Sequence, residues 1–152
     1  ILGGTQSDEI SGKDNEVITL AQHIVKHSKV FARHIGLTEQ LTIGSMWANV
    51  GGYKDCHRLH HHPHSLIGGV YYAKAPKDCG KVVFQNGDML MLNDTNYDYF
   101  DDPHFYCRFF MNVEDNDLLL FPSHMLHFVE PSRTNEDRIS LAFNLKIEPT
   151  QE

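Results

Sequence analysis

A mainly β domain with one covering helix is what this chain predicts, and three observations carry the prediction. After Leu41 the sequence breaks into many short runs rich in β-branched and aromatic residues. Turn signals punctuate those runs, Asn-Gly at 86–87 and Glu-Asp-Asn-Asp at 114–117. Ahead of them stands one stretch of helical period. Short strands punctuated in this way suggest an antiparallel sandwich or barrel. The 152 residues suit a single domain, 1–152, with a proper core.

Residues 1–13 are polar and rich in Gly and Ser, and read as a flexible lead-in. Over 14–35, Val17, Leu20, Ala21, Ile24, Val25, Phe31 and Ile35 recur at steps of three and four, which is the helical period. Gly36 follows, where a helix end takes a residue tolerant of positive φ. The helix histidines His23, His27 and His34 read as surface or boundary residues. The β core spans 41–147, with candidate strands at 42–50, 58–62, 66–74, 81–85, 89–92, 105–113, 117–121, 127–130 and 138–147. The acidic and aromatic segment DTNYDYFDDPHF reads as a loop at the barrel mouth, where ligands are selected.

The last strand is the most legible. Ile139, Leu141, Phe143, Leu145 and Ile147 form a wholly apolar face that must pack on the helix or on a second sheet. Arg138, Ser140, Ala142, Asn144 and Lys146 alternate with them and offer a cation, a hydroxyl and an amide in a row. A merely wet face would look the same.

Composition narrows the function. A net charge of −7 argues against nucleic acid or an anionic membrane surface as the main partner. No apolar run approaches the roughly 20 residues of a membrane span. Cys56, Cys79 and Cys107 are odd in number and lack CxxC spacing, which points to reduced thiols and a cytoplasmic setting. The chain opens at Ile1 rather than Met, as a trimmed or processed chain would.

Seven of the eleven histidines fall in two short segments, at 57, 60, 61, 62 and 64 and at 124 and 127. Imidazole is the commonest transition-metal ligand. His60 and His62, two apart, would share a strand face, and His127 follows the apolar run LLLF and the Pro122-Ser123 turn. Three protein ligands leave positions open for substrate or oxygen, whereas a closed structural zinc site wants four ligands, usually thiolates. Eleven residues past His127 stands Arg138, with Ser140 on the same face. Arg suits bidentate recognition of a carboxylate. Together these residues describe a pocket for a dicarboxylate, one end on the metal and the other on Arg138.

The segments WANV, HHHPHSLIGGVYYAKAP, LLLFPSHMLHFVEP and DRISLAFN resemble the 2-oxoglutarate- and Fe(II)-dependent oxygenases of marine bacteria and their phages, within the wider prolyl-hydroxylase-like group. The resemblance runs from about Trp47 to Leu145. It implies a double-stranded β-helix (jelly roll) with the helix packed on one sheet. It implies Fe(II) held by His60, His62 and His127, and 2-oxoglutarate held by Arg138 and Ser140, with Asn49 and Tyr72 lining its pocket. It also implies O2 as co-reactant, succinate and carbon dioxide as products, and a hydroxylated small-molecule or peptide substrate, prolyl groups included. A bacterial or phage-infected cytoplasm follows from it, and the oligomeric state stays open, a homodimer included.

One departure stands out. The wider group carries His-x-Asp or His-x-Glu, and here His62 fills the second position. Three neutral imidazoles leave Fe(II) more positive and hold it less tightly by Coulomb attraction. Asp55 or Asp88 could supply a carboxylate instead, with His62 outside the ligand set. A halogenase is disfavoured, since those enzymes need a small residue there. Two further readings compete: a cupin-like three-histidine metalloenzyme that uses no 2-oxoglutarate, and a non-enzymatic jelly-roll module with a structural metal. Neither requires Arg138 and Ser140.

Overall fold

Helix α1 (Asn15–His34) is closed by the chemistry of its own end. Gly36 has a φ of +83°, a conformation that a Cβ disfavours. The Gly36 N–H thereby donates to the Arg33 carbonyl at 3.1 Å and the Leu37 N–H to the Ala32 carbonyl at 2.9 Å. That pair of bonds is the Schellman closure that a glycine after a helix predicts. Ile24, Ser28 and Ala32 are its buried residues, one every four positions and so along one face.

The computed structural model describes residues 1–10, 12–85 and 108–148. Within them the first sheet has the order β1 (Thr5–Gln6), β2 (Leu41–Gly51), β9 (Arg138–Ile147), β4 (Ile67–Lys74), β7 (Leu118–Pro122). The second has the order β3 (His57–His60), β8 (Leu126–Val129), β5 (Val82–Gln85), β6 (Arg108–Met111). Every pairing is antiparallel. The chain is therefore mainly β with one helix, as the sequence predicts.

Strand β9 separates two apolar layers. Phe143 and Leu145, both fully buried, pack with Met46 and Ile67 against Ile24 and Ala32 of the helix. Of the two destinations open to the apolar face of β9, the helix is the one it takes. On the other side Tyr72, Val82, Phe84 and Phe121 fill the space between the sheets. The rings of Phe84 and Phe121, one from each sheet, meet edge to face at 5.1 Å.

Two expectations change. Within the 1–13 lead-in, Thr5 and Gln6 pair with Val50 and Asn49, and Leu2 bridges to Cys56. A polar dipeptide strand carries too little period to be seen in sequence, yet it covers the edge of β2. The predicted strand 58–62 stops at His60. The candidate strand at 89–92, the turn at 86–87, the loop around 97–102, Asp88 and Cys107 lie outside the described residues. Cys56 and Cys79 are free thiols. No described helix is long and apolar enough to cross a membrane.

Gly69 shows how closely the helix-side layer is built. A Cβ there would lie 2.2 Å from the Phe143 ring and 2.9 Å from the Leu119 carbonyl oxygen. Gly69→Ala is expected to lower stability by about 1–3 kcal/mol. The check is a urea midpoint that falls at constant m; an unchanged midpoint would mean that Phe143 has room to turn away.

Candidate metal centre

Three histidines reach one point from three backbone settings. Strand β3 pairs with β8 at His57–Val129 and at His60–His127, three residues advanced on one strand against two on the other. This bulge re-aims the strand and sets His60 opposite His127. His62 does not share a strand face with His60, because β3 has already ended. It lies in the next loop, where its N–H donates to the Ser123 carbonyl at 2.9 Å and the Ser123 N–H donates to the Leu66 carbonyl at 3.0 Å. The Ser123 hydroxyl also donates to the Ser65 carbonyl. The turn that precedes His127 is thus stitched to the loop that carries His62.

One ring nitrogen from each of His60, His62 and His127 lies within 4.8 Å of the others. His62 is 7% exposed and His127 4%. Hydrogen bonds fix which nitrogen carries the proton. His60 Nδ1–H donates to the Arg58 carbonyl at 2.7 Å and His127 Nδ1–H to the Met125 carbonyl at 2.9 Å. His62 Nδ1–H donates to the Asn144 side-chain oxygen at 2.6 Å. The Asn144 amide nitrogen donates to Ser45 Oγ at 3.1 Å, so its oxygen is the atom turned to His62.

A neutral imidazole has one N–H, and here each is spent facing outward. The Nε2 lone pairs are left. His62 Nε2 and His127 Nε2 stand 3.3 Å apart, and with both protons committed neither donates to the other. Two buried lone pairs at that distance repel each other, and a cation between them relieves it. Outer carbonyls that orient the rings are the usual support of ligating histidines. The donor set therefore fits a divalent transition metal. Among the described residues no carboxylate joins the group. Asp55 accepts the Gly52 N–H at 2.8 Å instead, as part of a turn.

The first sheet supplies the facing wall. Asn49, Ser140 and Tyr72 are register partners across β2, β9 and β4, so they form one row. Arg138 follows two residues from Ser140, opposite Gly51. All four are buried, at 4%, 4%, 2% and 3% exposure in the order Asn49, Ser140, Tyr72, Arg138. The guanidinium donates to the Cys79 carbonyl at 2.8 Å, its one side-chain hydrogen bond among the described residues. It forms no ion pair there, since Lys74–Glu136 is the one described salt bridge. A buried cation without an anion is costly, so this residue fits a carboxylate ligand. Asn49 Oδ1 is likewise buried with no partner. Burial raises the Tyr72 hydroxyl well above its ordinary pKa, so it stays protonated as a donor.

Both walls line one cavity of about 570 Å³. It brings together all seven residues nominated from sequence. Others on its wall were not nominated. Asn144 was visible only as an amide on the even face of the last strand. Trp47 stacks on His62 with centroids 6.0 Å apart, and Phe121 meets His62 and His127 at 5.9 and 4.6 Å. Sequence carries no signal for such ring contacts. Gly68 makes room for Phe121, because a Cβ there would lie 2.7 Å from its ring.

Burial also sets the titration of the rings. It lowers His62, partly offset by the Asn144 hydrogen bond, and it lowers His127 from 6.5 to about 4. His57 falls to about 3 through burial and then the charge of Arg138. In the unfolded chain these imidazoles take up protons near 6.5, so between about pH 6.5 and 4 the unfolded state binds more protons. Stability of the metal-free protein is expected to fall with pH across that window, at about 1.4 kcal/mol per unit for His127, and to go on falling to about pH 3 through His57 before it levels off. Urea midpoints measured from pH 7.5 to 3 check this. His127→Gln should flatten the slope, and an equally steep variant would refute the assignment.

Known proteins supply a family and a fold to set beside this site. The family profile described as "Putative 2OG-Fe(II) oxygenase" matches residues 45–144. No curated protein matches the sequence. Solved structures share the fold. An oxidoreductase of the 2OG-Fe(II) oxygenase family from Burkholderia pseudomallei is 13% identical with a TM-score of 0.64, over 94% of this chain and 64% of that one. A Pseudomonas putida prolyl-4-hydroxylase is 11% identical with a TM-score of 0.65, over 96% of this chain and 74% of that one. HygX from Streptomyces hygroscopicus, solved with nickel and 2-oxoglutarate bound, is 12% identical with a TM-score of 0.59, over 97% and 70%. The chain spans just under two thirds of the first of these relatives. With a profile match over most of its length, joined to three converging imidazoles and a buried arginine, this chain belongs to the 2OG-Fe(II) oxygenase family.

Proposed function

We propose that the protein is an Fe(II)- and 2-oxoglutarate-dependent dioxygenase, built as a double-stranded β-helix, that hydroxylates a small-molecule or peptide substrate. Prolyl groups are among the candidates, given the structural neighbour that acts as a prolyl-4-hydroxylase. The observation that carries the reading is the pairing, in one cavity, of a three-lone-pair cluster with a buried guanidinium that has no anionic partner among the described residues. When bound, iron and 2-oxoglutarate supply the oxygen chemistry, with O2 consumed and succinate and carbon dioxide released.

The chain's own residues do the positioning. His60, His62 and His127 would hold the iron as neutral ligands, each ring locked by its outward hydrogen bond. Arg138 would pair with the far carboxylate of 2-oxoglutarate, and Ser140 beside it would donate its hydroxyl to the same group. Asn49 and Tyr72, in register with Ser140, would close the polar row around the cosubstrate. Phe121, Val70 and Ala142 keep the wall between the two ends apolar and exclude water.

A cupin-like enzyme that dispenses with 2-oxoglutarate would also use three histidines, but would leave Arg138 buried without a purpose. Anaerobic addition of Fe(II) and 2-oxoglutarate is expected to give the weak visible band of their chelate at about 500 nm. Admission of oxygen should then yield succinate. Arg138→Ala should weaken 2-oxoglutarate binding about 30-fold or more while iron still binds, and His127→Ala should lose the iron. Succinate formation that is indifferent to Arg138 would sink the proposal.

A further inference from the structure

A fourth histidine shares the cavity with the cluster and takes no part in it. His57 lines the same space, half-buried, at the start of the strand that ends in His60. Its ring lies 6.5 Å from that of His60, centroid to centroid, so it stands apart from the point where the other three meet. Each of those three spends its N–H on an oxygen of the protein. The His57 ring makes no hydrogen bond among the described residues. An imidazole always keeps at least one N–H, so this one has a donor to offer.

Register fixes which end of the cavity it faces. On the second sheet His60, His127 and Phe84 are partners in one row, and His57, Val129 and Val82 are partners in another. All three members of the latter row line the cavity. The step from residue 127 to 129 along β8 sets them about 7 Å from the row of the cluster. Arg138 sits at this same end. Its guanidinium donates to the Cys79 carbonyl, just ahead of β5, and one of its nitrogens lies 3.5 Å from where a Cβ of Gly80 would stand. Arg138 is also the charge that bears most on His57, ahead of either His60 or His127. Val82 and Val129 offer a carboxylate nothing, so His57 is the polar member of its row.

We infer, granted the oxygenase reading, that His57 is a further cosubstrate-binding residue: its imidazole N–H donates to the far carboxylate of 2-oxoglutarate, from the wall that faces Ser140 and Tyr72. That carboxylate is then gripped from both sheets, by Arg138, Ser140 and Tyr72 on one side and by His57 on the other.

The test compares two keto acids of equal chain length, 2-oxoglutarate and 2-oxopentanoate, which carries a methyl in place of the far carboxylate. Both are titrated anaerobically into protein loaded with Fe(II) and read by the chelate band. His57→Leu is expected to weaken 2-oxoglutarate about tenfold or more, the worth of a hydrogen bond to a charged group, and to leave 2-oxopentanoate within about twofold. A merely structural role would weaken both alike. A second measurement needs no variant to fold. In wild-type protein with Zn(II) in place of iron, the ring nitrogen resonances of His57 should shift on adding 2-oxoglutarate and stay in place with 2-oxopentanoate. Equal losses for the two keto acids, no loss for either, or a His57 signal indifferent to the diacid overturns the assignment. A wild type that gives no chelate band at all would instead remove the oxygenase reading on which it stands.

Discussion

Each imidazole of the cluster has one proton to give, and each gives it away from the centre. On that constraint the rest of the site depends. Arg58 and Met125 supply backbone carbonyls, which can only accept, so His60 and His127 have no choice of tautomer. Asn144 could present either end of its amide, but Ser45 takes the nitrogen. Packing and hydrogen bonds in two sheets hold the three rings from outside with their lone pairs turned inward, an arrangement that a cation would complete.

The sheets divide the labour. β3 and β8, with the loop after β3, carry the histidines, and the inward face of β2, β9 and β4 carries Arg138, Ser140, Asn49 and Tyr72. Asn144 crosses between them, since it belongs to β9 yet accepts the proton of His62. Phe121 does the same by packing, from β7 onto two of the rings. The helix contributes nothing to the cavity directly. It buries the outward side of β9, so Phe143 and Leu145 anchor the strand whose other side holds Arg138.

Much of this was legible in the sequence because two signals are strong. The alternation over 138–147 separates an apolar face from a polar one, and the structure uses both as that pattern implies. The helix period with Gly36 after it located α1 to within a residue at each end. The grouping of His60, His62 and His127 was also legible, but not for the reason the spacing offered. An HxH on a strand predicts a shared face, whereas here a bulge and a loop do the work. A bulge inserts one residue without any period of its own, so it leaves no mark in a pattern of alternation. Asn144 and Trp47 were hidden for another reason. Their roles come from residues 82 and 15 positions away in the chain, and one sequence does not list its long-range neighbours.

The split of the site between two facing sheets has a geometric consequence. Packed sheets keep a separation of about 10 Å, and the edge-to-face rings of Phe84 and Phe121 prop these two apart. The cavity is therefore a fixed gauge, with a cluster that wants a cation on one jaw and a guanidinium on the other. A flexible linker between those two groups would tolerate diacids of many lengths. Under the proposed function, jaws braced by aromatic rings would favour the keto-diacid whose length spans them, so the core packing would share in the choice of cosubstrate.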